Sequence, residues 1–161
     1  LQCNEKDIWY TYGAMYSEAF LLTHGTKELI KAVIPRNRPY TYLESIPEGE
    51  EDDYYNSFPS GHTAYSFLGA AFLSTTFSRE FPESSWRVPV IVGSYTASTI
   101  TAAMRIASGN HFITDVLSGA ALGTLIGWAV PTLHLNDSKK SSLVIEPQKN
   151  SLKVGVHLSL Y

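Results

Sequence analysis

The chain has 161 residues, a formal net charge of -3 and an apolar fraction of 44%, which is long enough to bury one domain-sized core without metal or disulfide staples. Its acidic balance excludes a general nucleic-acid binder, which needs a basic surface to neutralise backbone phosphates, so any cations that matter act locally. Cys3 is the only cysteine, which rules out an intrachain disulfide.

Leu1-Gln2-Cys3 lacks the small residue expected before a lipidated cysteine. No basic-then-apolar signal opens the chain, and a start at Leu1 rather than Met suggests a trimmed N-terminus. From Asp7 to about Ile34 the apolar residues Met15, Ala19, Leu22, Leu29 and Val33 fall at helical spacing, interrupted by His24-Gly25 and closed by Pro35. That pattern predicts one helix, straight or kinked, or two. Arg36 to Phe58 has no periodicity, carries an acidic cluster between Glu44 and Asp53, and reads as a solvated loop. A sharper expectation for the cluster is a lid that disfavours highly anionic ligands.

Ser60 is placed to cap a helix from Gly61 to about Phe77, with Ala64, Phe67, Leu68, Ala71 and Phe72 on its buried face. Ser84 or Ser85 can cap the next, with Pro89 in its first turn and Val88, Val92, Tyr95, Thr99 and Ala102 keeping the period toward Arg105. Asn110 is the expected cap of a last helix from His111 to about Ala129, ended by Pro131. Within it Gly119, Gly123 and Gly127 form a flat stripe, suited to close packing inside the chain or to a homodimer seam. After a polar linker, Leu143-Val144-Ile145 and the alternating Val154, Val156, Leu158 and Leu160 predict two short strands, most simply a hairpin and alternatively an edge that pairs with a partner chain. The reading is an all-α helical bundle over residues 1–137 with a tail, 138–161, that holds a short β-hairpin.

Val116 to Leu135 and Val88 to Met104 both approach the length needed to cross a bilayer. The second is laced with Ser and Thr, and the mean hydropathy of the chain is -0.06. Membrane-embedded and soluble bundles both remain open on this pattern.

Cations and imidazoles collect where the chain enters or leaves helices, where backbone geometry favours an anion. Lys31 and Arg38-Pro39 lie at the end of the first helix; alone they would suit a solvated helix end. Pro59-Ser60-Gly61-His62 is more specific, since Gly61 admits a ligand close to backbone, the opening turn offers N–H donors, Ser60 adds a hydroxyl and His62 stands at the rim with a titratable proton. Arg105 precedes His111 and Asp115, which share a helix face. A carboxylate one turn away can accept the proton on one imidazole nitrogen and leave the other free to attack. Metal ligation by His62, His111 and Asp115 is disfavoured by the loose ligand set and the neighbouring cations.

In order and spacing, Lys31 with Arg38-Pro39, then Pro59-Ser60-Gly61-His62, then Arg105, His111 and Asp115 resemble the three motifs of the type 2 phosphatidic acid phosphatase (PAP2) superfamily. That superfamily includes bacterial acid phosphatases, membrane lipid phosphatases and vanadium-dependent haloperoxidases, all built on helical bundles. The resemblance covers residues from about 10 to 133. It implies that His111 attacks phosphorus, that Asp115 orients it, and that His62 protonates the leaving oxygen and later activates water. It also implies that Lys31, Arg38, Ser60, Gly61 and Arg105 hold the phosphoryl oxygens, with no metal and no cofactor. The implied substrate is a phosphate ester, either lipid or small and soluble.

Met104 departs from the family pattern, which usually has Ser before the Arg. Membrane members usually carry two further helices before the one bearing the Lys, so the chain is expected to be a trimmed piece or a smaller envelope form. The implied location is the cell envelope, periplasmic or in the membrane with the site facing the extracytoplasmic side. A vanadate-bound peroxidase and a non-catalytic phosphate-binding bundle are the rival readings.

Overall fold

The computed structural model describes residues 5–42, 53–137, 141–148 and 151–158, with side chains described for 9–42 and 53–135. Among these residues four α-helices, α1 (Glu5–Val33), α2 (Gly61–Glu80), α3 (Arg87–Ala107) and α4 (Ile113–Asp137), run alternately up and down. A short 3₁₀ turn spans Pro39–Tyr42. Two strands, β1 (Ser141–Gln148) and β2 (Ser151–Leu158), pair antiparallel with Ser141 opposite Leu158 and Gln148 opposite Ser151, the expected hairpin. The all-α bundle expected from the helical periods is the fold observed.

Local details differ from the sequence expectations. The first helix is continuous through Gly25, the single-helix alternative of the sequence reading, but its buried stripe is Met15, Ala19, Thr23 and Lys27, while Leu22, Leu29 and Val33 are exposed. The apolar period alone therefore pointed to the wrong face over its second half, because that half turns polar side chains toward the site. Ser60 has the extended backbone of an N-cap, but its hydroxyl pairs with Thr63 Oγ1 at 2.9 Å and makes no capping bond. The last helix begins at Ile113, where Asp115 Oδ2 accepts from Phe112 N–H at 2.8 Å; Asn110 Nδ2 instead donates to Ser108 Oγ at 2.7 Å. Pro131 does not end that helix, which runs on to Asp137. A proline costs an internal helical bond, and here its ring is wholly buried and gains packing in return.

The apolar core is small: Met15, Ala19, Leu68, Phe72 and Val130, with Tyr16 edge-on to Phe72 at 5.1 Å. Serines join α2 to α3, with Ser66 Oγ to Ser98 Oγ at 3.0 Å and Ser74 Oγ to Ser94 Oγ at 3.3 Å. Helices α2 and α4 pack backbone to backbone over the glycine stripe. A Cβ added at Gly119 would stand 2.5 Å from Ser60 O, and one at Gly127 2.5 Å from Leu68 O. The stripe is thus filled by α2 and does not serve as the dimer seam that its spacing also allowed.

The outside of the bundle is apolar. Leu21, Leu29, Val92, Ile100, Leu125 and Trp128 are among many large exposed hydrophobic side chains. The segment Ile113–Leu135 is long and apolar enough to cross a membrane, with mean hydropathy 1.5 and 33% of it buried.

Candidate active site

The end of α1, the start of α2, the end of α3 and the start of α4 meet at one end of the bundle, which brings the three sequence motifs together. Backbone pairing fixes the meeting. Residues 36–38 run alongside 54–57, with Arg36 N–H to Tyr55 O at 2.9 Å, Arg38 N–H to Tyr54 O at 2.9 Å and Ser57 N–H to Arg36 O at 3.0 Å. Ser60 N–H then donates to Asp115 O at 3.0 Å, and His111 N–H to Arg105 O at 3.2 Å. The first four bonds join separate stretches of chain and the last closes the third motif on itself, so the arrangement is set by main chain as well as side chains.

His111 is 2% exposed and Asp115 fully buried. The sequence predicts that Asp115 accepts the imidazole proton directly. Instead Asp115 Oδ2 lies 3.8 Å from His111 Nδ1, beyond hydrogen-bond length, and the main-chain oxygen of Ser57 takes that position at 2.8 Å. A carbonyl only accepts, so Nδ1 carries the proton and Nε2 carries the lone pair. Burial, first, and the Arg38 and Arg105 charges hold the imidazole down to about 4, against its ordinary 6.5, with the Ser57 bond and Asp115 pulling the other way.

Asp115 shapes the site through other contacts. Its carboxylate accepts from Ser57 Oγ at 2.6 Å, from Arg36 Nη1 at 2.5 Å and from Phe112 N–H. Arg36 also donates to Thr114 Oγ1 at 2.6 Å and stacks over Phe112 at 4.3 Å. The carboxylate thereby fixes the residue whose carbonyl holds His111 and caps the helix that follows it.

Of the sequence-predicted phosphate holders, Ser60 and Arg38 are buried, Lys31, Gly61 and Arg105 half-buried, and His62 stands exposed at the start of α2. Arg38 Nε donates to Asp53 O at 3.0 Å, its Nη1 reaches Asn110 O at 3.3 Å, and its Nη2 pairs with the Asp53 carboxylate. The charges of Arg105, Arg38, Lys31 and Lys27 all act on His62. Met104, the residue that departs from the motif, is exposed. The acidic lid expectation falls mostly on residues 43–52, outside the described residues; Asp53, at its end, is the residue that grips Arg38. Among the described residues no three His, Cys, Asp or Glu side chains group as metal ligands.

Three site neighbours were not identified from sequence. Lys27 had a signal, since it lies one turn before Lys31 and shares its face. Arg36 stands two residues before Arg38 in extended chain, and nothing local marks its reach to Asp115. Ser57 has no sequence signal.

The profile of the PAP2 superfamily matches residues 12–139. The chain belongs to the PAP2 superfamily. Among relatives of this PAP2 chain, a lipid A 1-phosphatase of Porphyromonas gingivalis is 39% identical over 88 residues, covering 55% of the chain and 18% of that protein. Lipid phosphate phosphatase 1 of Arabidopsis thaliana is 28% identical over 130 residues, covering 67% and 40%. The chain therefore spans less than half of either relative. The fold matches that of the transmembrane PAP2-type phosphatidylglycerolphosphate phosphatase of Bacillus subtilis with a TM-score of 0.56 at 23% identity, over 83% of this chain and 71% of that one.

Proposed function

We propose that this PAP2 chain is the catalytic bundle of a metal-independent phosphatase that hydrolyses phosphomonoesters, lipid phosphates foremost, through a phosphohistidine at His111. The observation that carries the reading is the neutral, buried His111 whose Nδ1–H is held by Ser57 O at 2.8 Å, which leaves Nε2 as the nucleophile. Lys31, Arg38 and Arg105, with the turn at Ser60-Gly61, hold the phosphoryl oxygens and take up charge in the transition state. Arg38 exchanges Asp53 for substrate oxygen as it does so.

Nε2 attacks phosphorus, the bond to the leaving oxygen breaks, and His62 gives that oxygen a proton. The imidazole gains positive charge as the P–N bond forms, and the Ser57 carbonyl stabilises it. His62, now neutral, takes a proton from water, which attacks the phosphohistidine and releases phosphate and His111. Asp115 acts in this scheme as a positioning residue, through Ser57 Oγ and the first turn of α4.

Lipid substrates are supported by relatives that are named lipid phosphatases, and membrane residence by the apolar exterior and the Ile113–Leu135 segment. The family resemblance supports an extracytoplasmic orientation of the site. The test is phosphate release in the presence of chelator from phosphatidic acid, a prenyl pyrophosphate, a sugar phosphate and an aryl phosphate. His111→Ala should abolish turnover of every active substrate and remove acid-labile phosphate labelling of the protein; retained activity sinks the nucleophile.

A further inference from the structure

Among the described residues, the scheme above leaves a buried cation without a role. Lys27 is 7% exposed and lies one turn before Lys31 on the buried stripe of α1. It runs directly against Gly61: a Cβ built there would be 3.1 Å from Lys27 Cδ and 3.7 Å from Nζ. On the other side, Nζ lies 5.5 Å from the centre of the Tyr65 ring. That ring is fixed by stacking on Phe20 at 5.0 Å and by a 2.6 Å hydrogen bond shared between its hydroxyl and His24 Nδ1. Gly61 and Tyr65 are one turn apart on α2, so the ammonium spans the turn that presents His62.

Cations outnumber carboxylates around this position. Lys27 is paired with the Glu28 carboxylate, whose side chain is half in water and which that pairing holds below the ordinary carboxylate range. Around the pair stand the charges of Lys31, Arg38 and Arg105, answered by the Asp53 carboxylate, and the positive end of the α2 dipole. A strongly hydrated ammonium buried among like charges is costly to maintain. An oxyanion in front of the first turn of α2, in addition to the transferred phosphoryl group, would offset that cost.

We propose that Lys27, seated on Tyr65 beside Gly61, forms a subsite for an oxyanion carried by the leaving group, either the second phosphoryl of a diphosphate or a phosphodiester on the leaving alcohol. The inference rests on the phosphatase reading and adds selectivity to it. Lys31, Arg38 and Arg105 hold the group being transferred, His62 protonates the bridging oxygen, and Lys27 meets the charge beyond the bridge. On binding, its ammonium exchanges the Glu28 carboxylate for the substrate oxyanion.

The test compares kcat/KM of the intact chain and its Lys27→Met and Lys27→Arg variants on a simple alkyl phosphate, the matching alkyl diphosphate, and a glycerol phosphate that carries a phosphodiester. Loss of one charge-assisted contact should lower the ratio of anionic-leaving-group to simple-ester kcat/KM by about 10- to 100-fold in Lys27→Met, with most of it restored in Lys27→Arg. The arm that falls identifies the source of the oxyanion; an unchanged ratio in both arms overturns the proposal. Calorimetry with inorganic pyrophosphate and orthophosphate on the same proteins separates this idea from the phosphatase reading. Tighter pyrophosphate binding that disappears in Lys27→Met supports the subsite even in a chain without turnover. Equal binding of the two anions, or a margin that survives in Lys27→Met, overturns it while leaving the activity of the chain standing.

Discussion

Replacing Gly123 by alanine adds one methyl group at the centre of the α2–α4 contact. Its Cβ would fall 2.8 Å from Leu68 N and closer still to Ala64 O. Carbon needs roughly 3.5 Å or more from such atoms, so α4 must retreat by about 1.5 Å, and neither neighbour is a side chain that can swing away. Alanine gains about 1 kcal/mol over glycine in helix propensity, while overpacking of this kind costs about 1–3 kcal/mol and more where backbone must move. The expected balance is a net destabilisation of up to about 2 kcal/mol, or up to roughly 8 °C in Tm for a chain of this size.

The same retreat would shift Asp115 relative to Ser60, whose backbone bond is 3.0 Å long, and a displacement near 1 Å at a reacting site can cost about 100-fold in rate. Gly93→Ala on α3 is the control, because nothing lies within 4 Å of its added Cβ; propensity alone should make it about 0.5–1 kcal/mol more stable. Thermal unfolding and phosphate release, measured on both variants in the same detergent, decide the matter. If Gly123→Ala is stabilised as much as Gly93→Ala, the close approach of α2 and α4 is wrong.

Three further outcomes are expected. Ser57→Ala removes the 2.6 Å bond to the buried Asp115 carboxylate and should cost about 1–3 kcal/mol; denaturant unfolding measures it, and kcat should fall because the carbonyl that holds His111 is no longer anchored. Arg36→Met leaves Asp115 with one fewer partner, and since Arg36 is about a third exposed the loss should be nearer 1–3 kcal/mol than the value for a fully buried pair, with wild-type stability counting against the pairing. His111 should stay neutral with its proton on Nδ1 down to about pH 4. Below the ordinary value of 6.5 the unfolded chain takes up a proton that the fold refuses, so this group's contribution is complete above pH 6.5 and is lost as pH falls toward 4, by about 3 kcal/mol in all. Imidazole nitrogen shifts across pH 4–7 report it directly, and a titration at or above 6.5 refutes the buried neutral state.

The family, the helical bundle and the order of the three motifs were legible because each is local. Helical period, proline and glycine positions, and motif spacing depend on residues a few places apart. The errors were local signals overruled by packing. Leu22, Leu29 and Val33 follow a helical period, yet α1 turns Thr23 and Lys27 inward where the bundle opens toward the site. Pro131 is a helix breaker by composition, yet burial keeps the helix intact around it.

The sequence by itself determined which chemistry is available: two histidines, a carboxylate and a set of cations at helix ends, in the order characteristic of one superfamily. Only the tertiary structure decided how these groups touch. That Ser57, and not Asp115, takes the proton of His111 depends on a contact between residues 54 positions apart. The ion pair of Arg36 with Asp115 spans 79 positions. The Lys27 contact with Gly61 likewise joins two separate helices. Hydrogen bonds and van der Waals contacts act over a few ångströms, so pairs this far apart in the chain carry no mark in sequence until the bundle closes and brings them into range.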